Sequence, residues 1–158
     1  WPTAYPGLNP QTVTTANGYQ NYKRIAQQCI AQATLAGITR TNLKQPFFNQ
    51  DLIKNTAWRT AAQDQTAPIL RPDQPLMVAE SATDRVVLPN TTALYMHNAC
   101  AAHSDLTTLW LTDVNHMQLA GVISPQVISW ISDRFAGLPA PNTCSQPLPV
   151  TPAAIPAE

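Results

Sequence analysis

The stretch that decides the fold runs from residue 75 to residue 137 and opens on PLMVAESATDRVV at positions 75–87. A second segment of the same kind, LTTLWLTDVNHM, stands at positions 106–117. The first begins with a short apolar run, which predicts a strand buried on both faces, and the second with a run rich in threonine, leucine and tryptophan. Each continues into polar residues, which predict a loop. The sequence therefore predicts two strands, Leu76–Ala79 and Leu106–Leu111, each followed by a loop.

Two helices are predicted in the same stretch. The first begins just after the loop 80–89 and runs to about His103. The second is expected to start at Ser124, because a serine cap followed by Pro125 at the first helical position is a strong start signal. It should end at Gly137, where a glycine suits the residue after a helix.

The order strand, helix, strand, helix predicts an α/β fold with parallel strands, since a helix connects them. Two parallel strands with unpaired backbone at both edges do not make a stable sheet. The chain is therefore expected to need further strands, supplied by a covalently missing half, by a partner chain or by self-association.

The two loops carry residues that suit acid–base catalysis, Asp84 after the first strand and His116 after the second. Functional side chains of open α/β sheets lie beyond the carboxyl ends of the strands, so neighbouring strands would bring these two together. A carboxylate that accepts the Nδ1 proton of histidine leaves the other nitrogen to take a proton from a hydroxyl nucleophile. In α/β-hydrolases the chain order is serine, acid, histidine, and the order here fits its second half.

Other interpretations of these residues stay open at this point. Asp113 lies close to His116 in sequence and competes with Asp84 as its partner, although a triad acid normally comes from a different loop. His116 could instead cap the following helix, and Asp84 could pair with Arg85 at the surface. Glu80 directly follows the first strand, where it could help to position the loop.

A serine nucleophile is the part of this chemistry that the sequence does not contain. It would occupy a G-x-S-x-G turn between a strand and a helix. None of the five glycines falls into that pattern: Gly7, Gly18, Gly37, Gly121 and Gly137. We therefore expect this chain to have little or no hydrolase activity without a serine-bearing half.

The N-terminal part of the chain predicts helices rather than strands. Proline and glycine mark residues 1–17, which are expected to form turns without a regular element. Apolar residues at helical spacing predict a helix from Asn17, as its cap, to about Ala36. A second helix is expected over Gln50–Gln63, with Ile53 on its buried side.

Several residues match a known family by type and spacing: Pro75-Leu76-Met77-Val78, Ser81-x-x-Asp84-x-x-Val87, His116, Trp130-Ile131-x-x-Arg134-Phe135-x-Gly137-x-Pro139, and Cys144. With them the chain resembles the C-terminal part of the secretory lipases, a family of the α/β-hydrolase superfamily. The family usually has glycine where this chain has Ser81. Residues 1–66 resemble, more loosely, the end of that family's cap.

The resemblance implies the C-terminal part of an α/β-hydrolase fold, without the half that bears the nucleophile. Residues 1–66 would form a mainly helical, cap-like segment, and residues 67–139 would supply parallel strands flanked by helices. Residues 140–158 would form a Pro/Ala-rich tail that wraps the surface or is disordered. The implied reaction is hydrolysis of triacylglycerols or other carboxylic esters, with Asp84 as triad acid and His116 as triad base.

The resemblance also implies a secreted protein with disulfides. Cys100–Cys144 is one pairing that it allows, and Cys29 could then bond to the nucleophile-bearing half. The sequence itself holds three cysteines, which allows a pair with one free thiol, a pair with a link to another segment or chain, or three buried thiols.

Composition argues against several other classes of protein. Charged residues make up 11% of the chain and sum to zero, so no long-range field attracts nucleic acid. The cysteines are too far apart for a C-x-x-C site, and His97, His103 and His116 lack the spacing of metal ligands, so neither metal nor cofactor is expected. No apolar run approaches the roughly 20 residues of a transmembrane span.

A second hypothesis needs no catalysis at all. The chain could be a hydrolase-like remnant that self-associates through its strand edges and acts as a binding or structural module. A stable homo-oligomer would favour this hypothesis, whereas a bound second polypeptide would favour the enzyme part.

Overall fold

The computed structural model describes residues 3–27 and 46–154, which group into two compact units divided between Ala67 and Pro68. Among the described residues, the first unit contains short helices, and the second contains two strands and the two longest helices. The division of the chain into residues 1–66, 67–139 and 140–158 stays a prediction. So does the interpretation of the first of these parts as a cap.

The first unit begins with a helix where only turns were expected. Helix α1 spans Pro10–Val13, and the side chain of Asn9 caps it by accepting a hydrogen bond from Gln11 N–H. The prediction of turns throughout residues 1–17 is therefore wrong, because asparagine and proline, which favour turns, also favour the first positions of a helix.

Helix α2 spans Ala16–Ala26, so it starts before the predicted cap Asn17. Thr15 takes the capping position, and its Oγ1 accepts a hydrogen bond of 3.0 Å from Gly18 N–H. The rest of the predicted helix, including Cys29, lies outside the described residues.

The helix predicted over residues 50–63 is divided by Asn55. A 3₁₀ turn, Leu52–Lys54, precedes it, and helix α3, Thr56–Asp64, follows it. Asn55 has an extended backbone, and its side chain caps α3. Ile53 lies in the 3₁₀ turn with 51% of its surface exposed, so its predicted burial is wrong.

The second unit is built on two parallel strands, β1 (Leu76–Ser81) and β2 (Leu106–Leu111). They pair in register from Leu76 opposite Leu106 to Ser81 opposite Leu111, and helix α4 (Pro89–Ala101) connects them. The parallel pair is as predicted, but β1 runs further than expected. Glu80 therefore belongs to the strand and not to the loop.

Helix α5 spans His116–Phe135 and starts well before the predicted position. Asn115 caps it in a capping box, in which Asn115 and Gln118 satisfy each other's backbone N–H groups. The predicted start, Ser124–Pro125, lies inside the helix, where Ser124 Oγ donates to a backbone carbonyl one turn earlier. His116 is therefore the first residue of a helix and not a loop residue.

The core of this unit lies between the sheet and α4. Met96, Ala99 and Leu106 are fully buried there, and the half-buried residues packed against them are Leu76, Val78, Cys100, Trp110, Cys144 and Leu148. Helix α5, in contrast, has no buried residue. Strand β1 is half-buried over most of its length, where burial on both faces was predicted.

The segment after α5 covers the outer edge of β2. Thr143 donates its N–H to Leu106 O at 2.8 Å and accepts a hydrogen bond of 2.8 Å from Thr108 N–H. A disulfide joins Cys144 to Cys100 on α4. Of the two outcomes expected for the tail, wrapping along the surface is the one observed for residues 140–154.

Candidate active site

Asp84 lies in the loop after β1 with its side chain only 1% exposed. Its Oδ1 accepts hydrogen bonds from Val86 N–H at 2.7 Å and from Val87 N–H at 3.1 Å. The loop therefore folds around the carboxylate, which is the arrangement that aspartate side chains favour in turns.

His116 lies opposite Asp84, at the start of the helix that follows β2. Its Nδ1 is 2.8 Å from Asp84 Oδ2, and 38% of the histidine side chain stays exposed. The structure thus brings together Asp84 and His116, which were expected to meet beyond the carboxyl ends of the two strands. The carboxylate bonded to this ring is that of Asp84, whereas Asp113 is exposed and accepts a hydrogen bond from Thr112.

The surroundings of Asp84 favour its ionised form. Burial by itself raises the pKa of Asp84, but the hydrogen bonds from the two backbone N–H groups and from the imidazole outweigh it, so the pKa lies below its ordinary value. An ionised carboxylate can only accept hydrogen bonds, so His116 Nδ1 carries the proton. Nε2 is then the nitrogen with a free lone pair, and it can act as a base.

Hydroxyl groups connect the loop that holds Asp84 to the loop that holds His116. Ser81, which is fully buried, donates from Oγ to Val114 O, and Thr83 Oγ1 donates to Thr112 O at 2.8 Å. Neither of these hydroxyls was predicted from the sequence to have a role. The only signal for them was the presence of hydroxyl residues on both sides of Ala82, just before the acid.

Glu80 fixes the same loop to α4. Its side chain lies on the α4 side of the sheet, is buried, and accepts hydrogen bonds of 2.7 Å from Thr92 Oγ1 and from Ser81 N–H. Thr92 lies in the first turns of α4, so this contact ties the end of β1 to the start of that helix. The interpretation of Glu80 as a residue that helps to position the loop is consistent with these contacts.

The family model for secretory lipases matches residues 3–143. The chain belongs to the secretory lipase family. Comparison with curated proteins gave no match.

Membership in the secretory lipase family implies a hydrolase of lipase or esterase type with a lipid substrate, and it implies secretion. It also suggests the α/β-hydrolase superfamily, with which the helices and the parallel strand pair are consistent. Across the described parts of the chain, no helix combines the length and the apolar character that crossing a bilayer requires.

The remaining histidines and the described cysteines of this secretory lipase family member take no part in the Asp84–His116 pair. His97 is exposed on α4, and His103 lies two residues beyond the end of that helix. Within residues 3–27 and 46–154, no three histidine, cysteine or acidic side chains cluster as metal ligands would. Cys100 and Cys144 form a disulfide, which is the pairing that the resemblance allowed.

Proposed function

We propose that this chain supplies the acid and the base of a carboxylic-ester hydrolase of triacylglycerol-lipase type, and that a serine-bearing part outside this sequence supplies the nucleophile. The observation that carries the proposal is the hydrogen bond of 2.8 Å between Asp84 Oδ2 and His116 Nδ1. Family membership supports the ester class of the substrate.

In the proposed reaction, His116 Nε2 takes the proton of the serine hydroxyl as its oxygen attacks the ester carbonyl. Asp84 stays ionised and stabilises the imidazolium that forms. His116 then gives the proton to the departing alcohol, which leaves an acyl-enzyme. In the second half of the reaction, His116 activates a water molecule in the same way, and the fatty acid is released.

Among the described residues no strand pairs with the outer edge of β1, which supports a covering part that this sequence does not contain. Strand residues alternate between their two neighbours, and Leu76 and Ala82 donate their N–H groups to the β2 side. The backbone groups of Met77 and Ala79 are therefore directed to the opposite edge. Because the tail covers the outer edge of β2, further strands would add beside β1.

The test measures hydrolysis of short- and long-chain esters by the complete polypeptide that the gene encodes, and by this 158-residue chain alone. We expect activity, and labelling by a serine-reactive fluorophosphonate, only for the complete polypeptide. In that polypeptide Asp84→Asn should lower kcat by about 10⁴-fold, the loss typical of a triad that loses its acid. Asp113→Asn, in the neighbouring loop, serves as the matched control and should keep near-normal turnover.

Near-normal ester hydrolysis by the Asp84→Asn enzyme would contradict the proposal. So would a complete polypeptide that contains no fluorophosphonate-reactive serine. Native mass spectrometry of the 158-residue chain tests the alternative hypothesis, because a homo-oligomer in a protein with no esterase activity in any form would favour a binding or structural module.

A further inference from the structure

Two hydroxyl groups cross the gap between the loop after β1 and the loop after β2. Each hydroxyl has one proton, and the shortest contacts assign the proton of Ser81 to Val114 O and the proton of Thr83 to Thr112 O. The hydroxyl oxygens Ser81 Oγ and Thr83 Oγ1 are 3.1 Å apart. Thr83 N–H donates to Ser81 Oγ at 3.2 Å. The four contacts form one network, which we call the hydroxyl clasp.

The clasp lies next to both members of the Asp84–His116 pair in sequence. Thr83 immediately precedes Asp84, and Val114 O lies just before the cap of the helix that begins at His116. Any change in the separation of the two loops therefore changes the distance between Asp84 Oδ2 and His116 Nδ1. A displacement of about 1 Å in a catalytic constellation can lower the rate by about 100-fold.

Apart from the bond between Asp84 and His116 itself, the neighbouring side-chain hydrogen bonds fix each loop separately. The carboxylate of Asp84 holds its own loop, and Glu80 holds the end of β1 against α4. The backbone bond from Ala82 N–H to Leu111 O ends the strand ladder before the acid is reached. Beyond that bond, the hydroxyl clasp joins the loops through side chains that a substitution can remove.

We propose that Ser81 and Thr83 are positioning residues, which hold Asp84 and His116 at hydrogen-bonding distance before a nucleophile or substrate arrives. They touch neither reacting group and act through the pair. The catalytic consequence rests on the proposed function, whereas the positioning itself belongs to this chain and can be measured without activity.

The first test is a proton NMR experiment on the 158-residue chain. The hydrogen-bonded Nδ1–H of His116 should give a strongly downfield resonance, which the His116→Gln variant identifies by its absence. Thr83→Val removes a hydroxyl at an exposed position and keeps the side-chain shape. We expect it to speed exchange of this proton with water by about tenfold, as expected for the loss of one hydrogen bond.

Matched variants separate positioning from a general loss of structure. Thr83→Ser keeps the hydroxyl and should restore slow exchange. Thr112→Val removes a hydroxyl from the facing loop that, within the described part of the chain, bonds only to Asp113, so it should leave the resonance unchanged. Ser81→Ala tests the buried member of the hydroxyl clasp. If that variant fails to fold, Thr83→Val and Thr83→Ser alone test whether the clasp positions the pair.

The second test measures steady-state ester hydrolysis by the complete polypeptide. We expect Thr83→Val and Ser81→Ala to lower kcat by about 10- to 100-fold with KM nearly unchanged, because positioning of the pair affects the reaction and not substrate binding. The inference would be overturned if the Nδ1 proton of His116 gave the same resonance and exchanged at the same rate in folded Thr83→Val and Ser81→Ala as in the unsubstituted chain. If Thr83→Val or Ser81→Ala loses the resonance while the Asp84→Asn enzyme stays active, the result contradicts the proposed function and not the positioning role.

Discussion

At the scale of single residues, Asp84 has two tasks, because each of its carboxylate oxygens has its own partners. Oδ2 faces the imidazole of His116, and Oδ1 accepts two backbone N–H groups of its own loop. The residue that would orient the catalytic base therefore also fixes the conformation of the loop. A change at Asp84 should affect stability as well as turnover.

The lowered pKa of Asp84 predicts how the stability of this chain depends on pH. The pKa in the folded state lies below the unfolded value of about 3.9, so the ionised carboxylate stabilises the fold above about pH 4. This stabilisation is lost as the pH falls through the folded-state pKa. We expect the free energy of unfolding to decrease below about pH 4, and Asp84→Asn to reduce that decrease.

Urea unfolding followed by circular dichroism at pH values from about 2.5 to about 6 measures this effect. The exposed Asp113 provides the control, and Asp113→Asn should keep the acid dependence of the unsubstituted chain. Equal slopes for the Asp84→Asn variant and the unsubstituted chain would show that Asp84 does not contribute in this way.

The sequence predicted Asp84 and His116 but not the groups that hold them, for a physical reason. Two parallel strands joined by a helix end at the same edge, so the residues after them meet almost regardless of detail. The bonds of Ser81 and Thr83 depend on the path of each loop within about an ångström, which no periodicity encodes. The sequence predicts Glu80 in the loop. Its direction towards α4 follows only from the strand register, which places Glu80 within β1.

At the scale of elements, the start of α5 shows two competing signals in one sequence. Asn115 with Gln118 is a capping box, and Ser124 with Pro125 is also a common helix start. The earlier signal prevails because both ends of the longer helix are anchored: His116 bonds Asp84, and Trp130 Nε1 donates to Thr107 Oγ1 on β2 at 3.0 Å. Tertiary contacts of this kind are not visible in a local pattern.

The ends of α4 and α5 allow a matched stability prediction. Both helices close with a residue of positive φ, which is 59° at His103 and 76° at Gly137. Glycine adopts this conformation freely, whereas other residues are strained by about 1–2 kcal/mol. We expect His103→Gly to raise the free energy of unfolding by about 0.5–1 kcal/mol, and Gly137→Ala to lower it by about 1 kcal/mol.

Urea denaturation of the two variants tests this prediction directly. A Cβ at Gly137 would meet no atom within 4 Å, so the cost there comes from backbone strain alone. A loss of stability in His103→Gly would mean that the imidazole makes a contact worth more than the strain.

At the scale of the whole molecule, the residues that the structure describes cover one edge of the sheet and leave the other edge without a strand partner. The tail and its disulfide close the outer edge of β2, and α4 covers one face of the sheet. On the other side, β1 presents an edge, and α5 has an apolar stripe of Ile128, Ile131 and Phe135, which are 67%, 42% and 90% exposed. These three follow helical spacing on one face, which is the pattern of a helix that packs against something.

This asymmetry predicts that one substitution is nearly neutral in one context and destabilising in another. In the 158-residue chain, Ile128→Lys changes an exposed side chain, so the free energy of unfolding should stay within about 0.5 kcal/mol. In the complete polypeptide, a serine-bearing part that covers the stripe would bury Ile128, and the same change should cost about 1.5–3 kcal/mol. Gln126→Lys, at an exposed polar position of the same helix, should be neutral in both.

Denaturant unfolding of both polypeptides, together with sedimentation of the 158-residue chain, decides what covers the stripe. Equal and small effects in both contexts would show that the missing part packs elsewhere. If Ile128→Lys converts a dimer of the 158-residue chain into a monomer, and costs nothing in the complete polypeptide, a second copy covers the stripe. The hydrolase proposal would then have to place its serine-bearing part at the edge of β1 alone, where Met77 and Ala79 direct their backbone groups.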